Sequence, residues 1–393
     1  MDKKSIRDID VAGQKVLVRV DFNVPMKDGI ITNDTRILKV IPTIKYLQEQ
    51  GAIIILMTHL GRPKGKIVPE MSVKPIAERL SSILGQQVLF AGDCGGPESR
   101  KVTAEMNKGE VALLENVRFY PEEEENNPVF AKGLASLGDI YVNDAFGTAH
   151  RAHASTEGIT SFLPAVSGFL TEKEILVLSE TLENPSKPFV VILGGAKVSD
   201  KIFVIENLMQ KADCLLIGGA MGNTFLKAQG YNLGISKVET EKVEIAAELL
   251  NKAQKFGVKV VLPQDLVVAK GYAAESEAKV VSVQGIPEDM MALDIGPATV
   301  EEFSKMIAQA GTIVWNGPLG VYEFARFAVG TNKIMEAAAA APGKIVIGGG
   351  DVVAAVEKTG LAAKIYHVST GGGASLAFLG GKVLPGVAAL LDK

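Results

Sequence analysis

Along the whole chain, short apolar runs alternate with longer segments whose apolar positions recur every three or four residues. The short runs are Lys15 to Val20, Ala52 to Thr58, Val111 to Leu114, Ile140 to Asn143, Phe189 to Leu193, Cys214 to Ile217, Val258 to Leu262, Thr312 to Trp315 and Lys344 to Ile347. They read as strands, and the segments between them as helices. Ser72 to Leu84, for example, predicts a helix with Ser72 as N-cap, with Ile76, Leu80 and Leu84 on one face, and with Gly85 as its stop. Such alternation predicts crossover units, and hence an α/β fold in which helices cover both faces of a mainly parallel, doubly wound sheet.

At 393 residues the chain exceeds the size at which one core stops growing, so two domains are expected. Thr171 to Glu183 predicts a helix, with Ile175, Leu178 and Leu182 on one face, followed by the breaker cluster Asn184-Pro185-Ser186-Lys187-Pro188. The junction is placed at that hinge helix, giving domains 1–170 and 171–373, each a Rossmann-like parallel sheet. The one run of charge, Glu122 to Glu125 after Pro121, reads as a solvated loop rather than a metal site.

Composition narrows the function by exclusion. Hydrophobic residues make up 47% and charged residues 22%, which excludes disordered and fibrous classes. No apolar run is long enough to span a membrane, and no signal peptide is read at Met1-Asp2-Lys3-Lys4. Cys94 and Cys214 stand far apart, outside disulfide or thiolate-metal spacing, so the reducing cytoplasm is the expected compartment. A net charge of −4 lacks the global positive field that nucleic acid or anionic lipid calls for, so any bound phosphate must meet charge gathered locally. The expected form is a monomer acting on small molecules.

In open α/β sheets ligands bind beyond the carboxyl ends of the strands, and the two parts of the chain differ there. In the first, strands empty into Asp21-Phe22-Asn23, His59-Leu60-Gly61-Arg62, Arg118 and the stretch from Asp144 through His150 and Arg151 to His153, with Arg36 shortly after the first loop. Several converging guanidinium groups suit a small polyanion. In the second, strands end in glycine: Gly194-Gly195-Ala196-Lys197, Gly218-Gly219, Asn316-Gly317-Pro318, Gly348-Gly349-Gly350-Asp351 and Gly371-Gly372-Gly373. Glycine lets main-chain amides approach a phosphate at a helix N-terminus, so this half reads as a nucleotide cradle. It contains neither a P-loop nor a G-x-G-x-x-G turn. Lys197 and Lys201 can supply the cations, and Asp351 could hold Mg²⁺ on the nucleotide phosphates.

Taken together, Val18-Arg19-Val20-Asp21-Phe22-Asn23-Val24-Pro25, Thr58-His59-Leu60-Gly61-Arg62-Pro63, Phe146-Gly147-Thr148-Ala149-His150-Arg151-Ala152-His153, Leu193-Gly194-Gly195-Ala196-Lys197, Trp315-Asn316-Gly317-Pro318 and Ser369-Thr370-Gly371-Gly372-Gly373 resemble the phosphoglycerate kinase family over the whole length. The resemblance implies reversible phosphoryl transfer between ATP and the carboxylate of 3-phosphoglycerate, with ADP and Mg²⁺. It implies that Asp21, Phe22, Asn23, Arg36, His59, Leu60, Gly61, Arg62, Arg118 and Arg151 bind the acid. Gly195, Lys201, Gly219, Asn316, Glu323, Gly349, Gly350, Asp351 and Val352 would bind the nucleotide, and Arg36, Lys197, Gly371 and Gly372 would act on the transferring group. Residues 374–393 would return to the first domain. Val352 stands where the family usually has Ser or Thr, and Ala220 where many members have Gly. A nicotinamide-dependent dehydrogenase and a non-catalytic nucleotide-binding protein remain as alternatives.

A carboxylate acceptor is already ionised at pH 7, so this chemistry needs no general base. It needs two anions held in line and their charge neutralised. The two kinds of strand end lie in different domains, so a hinge closure in each turnover is expected.

Overall fold

In the computed structural model, which describes residues 2–393, the chain divides into two compact units. One runs to Leu176 and regains Val383–Lys393, and the other is Val177–Lys382.

The first unit holds a six-stranded parallel sheet in the order Val88–Ala91, Val111–Leu114, Ile53–Met57, Lys15–Val20, Ile140–Asp144, Ala165–Ser167. Apart from Lys15, Arg19, Asn143, Asp144 and Ser167 its runs are apolar, because both faces are covered. Val16, Val18, Val20, Ile54 and Leu56 enter one core, while Leu17, Ile55, Met57 and Tyr141 enter the other. The strand order reverses direction between Lys15–Val20 and Ile140–Asp144, the place where such sheets open a crevice. Val88–Ala91 and Ala165–Ser167, the two edge strands, are not among the runs read from the hydrophobic pattern.

The second unit repeats the design in the order Lys259–Val261, Cys214–Ile217, Phe189–Leu193, Thr312–Asn316, Lys344–Gly348, His367–Val368, all parallel. Its reversal falls between Phe189–Leu193 and Thr312–Asn316. A separate antiparallel sheet, Lys279–Ser282, Asp265–Ala269 and Met291–Ile295, was not expected from the sequence. The α/β class with two Rossmann-like sheets is as expected.

Two helix starts differ from their sequence expectation, each because a side chain from elsewhere decides it. The junction helix begins at Phe169 rather than Thr171, for the Asp144 carboxylate accepts the N–H groups of Leu170 and Thr171 at 2.9 and 3.1 Å. The other helix is Lys74–Leu84, with Val73 at its N-cap. Ser72 instead donates its hydroxyl to Glu115 at 2.7 Å, and Glu115 also accepts the Val73 N–H at 2.9 Å. Gly85 stops that helix in the left-handed region (φ 69°), as expected.

The segment that returns to the first unit begins at Val383. Helix Gly373–Leu379 stays in the second, where Asn207 donates to the Leu379 carbonyl at 2.7 Å. The returning residues are stitched by main-chain bonds: Lys4 N–H to Leu391 O, Leu391 N–H to Ala165 O, and Gly386 N–H to Ala149 O.

Candidate active site

Arg19, on the central strand Lys15–Val20, is fully buried beneath the carboxyl end of the first sheet. Its Nε donates to Ser155 Oγ at 2.8 Å, and one terminal nitrogen lies 3.2 Å from His59 Nδ1. Ser155 in turn donates to Glu123 from its main-chain N–H (2.9 Å) and from its hydroxyl (2.6 Å). Glu123 is 0% exposed, which corrects the reading of Glu122 to Glu125 as a solvated loop: Pro121–Glu124 form a helical turn that aims this carboxylate inward. Burial pushes its pKa up, against the pull of Arg19 and of the Ser155 bonds.

Around this base the sequence-expected arginines gather. His59 is held well below its ordinary pKa, first by burial and then by Arg19, Arg118, Arg151 and Arg36, so those four guanidinium groups share one neighbourhood. Arg118 is itself lowered to about 10 by burial, Arg151 and Arg19, and it donates to the Gly61 carbonyl at 3.0 Å. Burial and the arginines also lower His153, to about 4, and His150. The histidines are therefore neutral at pH 7, and the charge of the pocket belongs to arginine.

Arg36, in helix Thr35–Glu49, meets Asp21 at 2.6 Å. Asn23 accepts the Gly61 N–H at 2.9 Å, tying two strand-end loops together. Phe22 and Leu60 send their side chains into the core, which leaves only their main chain for a ligand. Arg62 is exposed and takes part in no ion pair among the described residues.

In the second unit the glycine strand ends pack against one another. A Cβ on Gly219 (φ +64°) would come within 2.8 Å of the Gly195 nitrogen, and one on Gly349 (φ +107°) within 2.7 Å of the Asn316 amide nitrogen. Side chains there would both strain the backbone and fill the cradle. Gly219 and Gly350 each open a helix, Gly219–Ala228 and Gly350–Thr359. In the first, the Gly219 and Met221 N–H groups already donate to the Leu319 and Gly195 carbonyls at 3.1 and 3.0 Å, whereas the N–H groups of Gly350, Asp351 and Val352 have no main-chain acceptor among the described residues. Lys201 is buried, and its Nζ donates to the carbonyls of Gly194 and Asn316 at the sheet's reversal point. Burial lowers its pKa to about 8, with Asp351 and Asp200 opposing, so it is mostly charged at pH 7. Lys197 is exposed.

A pocket here is lined by Gly195, Gly219, Ala220 and Asp351, by Tyr322 and Glu323, and by Asn223, Lys237, Leu266, Tyr272 and Leu293. Asn316 is buried, with its Nδ2 donating to the Gly348 carbonyl at 2.6 Å. Gly372 (φ +50°) caps helix Gly373–Leu379, while the Gly371 N–H is already held by Ser369 Oγ at 3.1 Å. The Val352 side chain is fully buried in the core, so it has only its main-chain N–H to offer a phosphate. Sequence reasoning did not single out Arg19, Glu123, Ser155 or Asn223. Only Arg19 left a signal, as a cation inside an apolar strand.

Among the described residues no three His, Cys, Asp or Glu side chains gather as a metal cage. Asp351, a single exposed carboxylate in the first turn of Gly350–Thr359, fits Mg²⁺ of the kind held mainly by phosphates and water.

The model of the phosphoglycerate kinase family matches residues 6–382. The phosphoglycerate kinases of Moorella thermoacetica and Roseiflexus sp. are each 56% identical to the chain over 100% of both proteins. Among solved structures, the phosphoglycerate kinase of Coxiella burnetii superposes with a TM-score of 0.90 at 42% identity, and that of Pyrococcus horikoshii with 0.87 at 36%, each covering 98% of both chains. Arginine strand ends in one unit, glycine strand ends in the other and this whole-length similarity agree: the chain belongs to the phosphoglycerate kinase family.

Proposed function

We propose that the arginine cluster of the first unit holds 3-phosphoglycerate and that the glycine cradle of the second holds ATP or ADP. As a family member the chain is a glycolytic phosphotransferase with a carboxyl acceptor, transferring a phosphoryl group reversibly between ATP and 3-phosphoglycerate. The observation that carries the assignment of sites is the convergence of Arg19, Arg36, Arg118 and Arg151 on one strand-end neighbourhood.

Each residue's part follows from its surroundings. Arg118, Arg151 and Arg36 supply positive charge whose sign is independent of pH in the physiological range. Asp21 holds Arg36 in place until an anion competes for it. Neutral His59, with Arg19 beside its Nδ1, can donate from the other ring nitrogen. Lys201 fixes a cation over the cradle, and the exposed Lys197 is free to follow the phosphoryl group. Mg²⁺ held through Asp351 would neutralise nucleotide phosphate charge. No residue is needed as a general base, because the attacking oxygen belongs to a carboxylate. The two ligands lie on different units, so transfer requires the units to bring them together, and water exclusion then protects ATP and the acyl phosphate.

Cys94 and Cys214 are free and buried, which suits a reducing cytoplasm. No helix among the described residues is long and apolar enough to cross a membrane. We place the chain there as a monomer working on small molecules.

The test is a coupled assay for 1,3-bisphosphoglycerate formed from ATP, Mg²⁺ and 3-phosphoglycerate. Arg36→Ala and Lys197→Ala should each lower kcat by about 100-fold or more with the fold intact. Full activity in both variants would overturn the assignment.

A further inference from the structure

Between strand Phe189–Leu193 and helix Ile202–Met209, residues 194–201 form neither helix nor strand, and Lys197 stands in their midst. On its amino side the last fixed point is Gly195, whose N–H donates to Pro318 O at 2.7 Å and whose carbonyl accepts the Met221 N–H at 3.0 Å. The N–H groups of Ala196 and Lys197 have no main-chain acceptor among the described residues. On the carboxyl side the buried Val198 side chain is one fixed point, and a carboxylate supplies the next. Glu239 accepts the N–H groups of Val198 and, at 3.1 Å, of Ser199, and the Ser199 hydroxyl donates to it at 2.6 Å. Glu239 is itself held, its N–H donating to Thr224 Oγ1 at 3.1 Å in helix Gly219–Ala228, while Asn223 of the same helix donates to the Lys237 carbonyl at 3.2 Å. The carboxylate thus ties the loop of Lys197 to a helix that opens in the cradle. It does so instead of capping the turn Thr240–Lys242 that follows it.

We infer that Glu239 is a positioning residue for phosphoryl transfer: by holding the main chain just past Lys197, it gives that ammonium group a set base from which to reach the transferring phosphoryl group. Lysine carries its charge on a flexible four-carbon stem, so a main chain that also wandered would spread the charge over a wide volume. Transfer depends on charge placed in advance, and a small displacement is costly in rate. Burial works to raise the pKa of Glu239, but the Ser199 hydroxyl, the two N–H groups and the charge of Lys197 outweigh it, so the group stays below its usual 4.5 and is ionised at neutral pH. The hydrogen bonds matter here more than the charge. One carboxylate oxygen takes both N–H groups and the other takes the hydroxyl, a pattern that glutamine can copy if the Ser199 hydroxyl turns from donor to acceptor.

The inference rests on the reading of Lys197 as the residue that follows the phosphoryl group, and a double-mutant cycle on the full chain tests the two separately. Glu239→Ala should lower kcat about tenfold, with KM for ATP and the calorimetric affinity for ADP each changed by less than twofold. In the Lys197→Ala background the same substitution should lower kcat by less than twofold, because the group it positions is gone. Glu239→Gln should stay within about threefold of the native kcat. If Glu239→Ala does not fold, Ser199→Ala, which deletes only the hydroxyl bond, takes its place in the cycle with a loss of about threefold expected. An equal loss in both backgrounds is the mark of a merely structural role and would overturn the inference while leaving Lys197 its part. So would native kcat in a folded Glu239→Ala, or a Glu239→Gln as slow as Glu239→Ala. Native kcat in Lys197→Ala alone would remove the reading of Lys197 and this inference with it.

Discussion

Asp294 makes the second unit lose stability as pH rises through neutrality. It sits on strand Met291–Ile295, 3% exposed, accepting the N–H groups of Ile295 at 2.9 Å and Gly330 at 2.7 Å, with no cation paired to it among the described residues. Burial raises its pKa from 3.8 to about 7, the two amides holding it down from a larger shift. Since the folded pKa lies above the unfolded one, the native state prefers the protonated acid. That contribution is fully present below about pH 4 and is lost as pH rises through about 7. Between pH 5 and 7 the slope approaches 1.4 kcal/mol per unit, a loss of about 2–3 kcal/mol. Trp315, the single tryptophan, is buried in this unit with Nε1 donating to the Gly317 carbonyl at 2.8 Å, so its fluorescence reports the relevant unfolding in urea. Lys201 near 8, Glu239 below its usual 4.5 and Cys214 near 11 titrate outside the window, and Asp144, near 6, belongs to the first unit. Asp294→Asn, which cannot ionise, should give a flat profile from pH 5 to 7. A native protein whose urea midpoint is independent of pH, or a variant that keeps the slope, would refute the reasoning.

Glu123→Gln should destabilise the first unit by about 3 kcal/mol, since it strips charge compensation from fully buried Arg19, and it should raise KM for 3-phosphoglycerate. Thermal unfolding and steady-state kinetics check both, and an unchanged melting temperature would count against the network. Gly317→Ala places a methyl group against Lys201 Nζ and Gly194 O at a residue with φ +88°. It should cost about 1–3 kcal/mol of stability and weaken ADP binding, measured by urea denaturation and calorimetry. Gly257→Ala, in open space at a comparable φ of +70°, should share the strain but leave ADP affinity intact.

What the sequence made legible was the part written in local pattern. Strand cores such as Val111–Leu114 and Phe189–Leu193 were continuous apolar runs, and the residues just past them carried the chemistry because sheet geometry sends ligands there. What stayed hidden depends on partners distant along the chain. Ser72 has the right type for an N-cap, but Glu115 takes its hydroxyl. Thr171 looks like a helix start until Asp144 supplies acceptors two residues earlier. Glu123 is one of four consecutive glutamates, and only the fold shows that Ser155 waits for it beneath the surface. Val352 looked like a missing hydroxyl, while helix Gly350–Thr359 turns it into the core. Asp265–Ala269, Lys279–Ser282 and Met291–Ile295 escaped because an antiparallel insertion breaks the strand–helix rhythm on which the reading relied.

Amide hydrogen exchange with each ligand alone tests the division of labour most directly. With 3-phosphoglycerate, protection should appear at residues 21–25, 59–62 and 145–153 and leave 194–222 unchanged. With ADP, it should appear at 194–222 and 316–323 and leave the arginine loops unchanged. Protection of the same unit by both ligands, or of neither set of strand ends, would contradict the account.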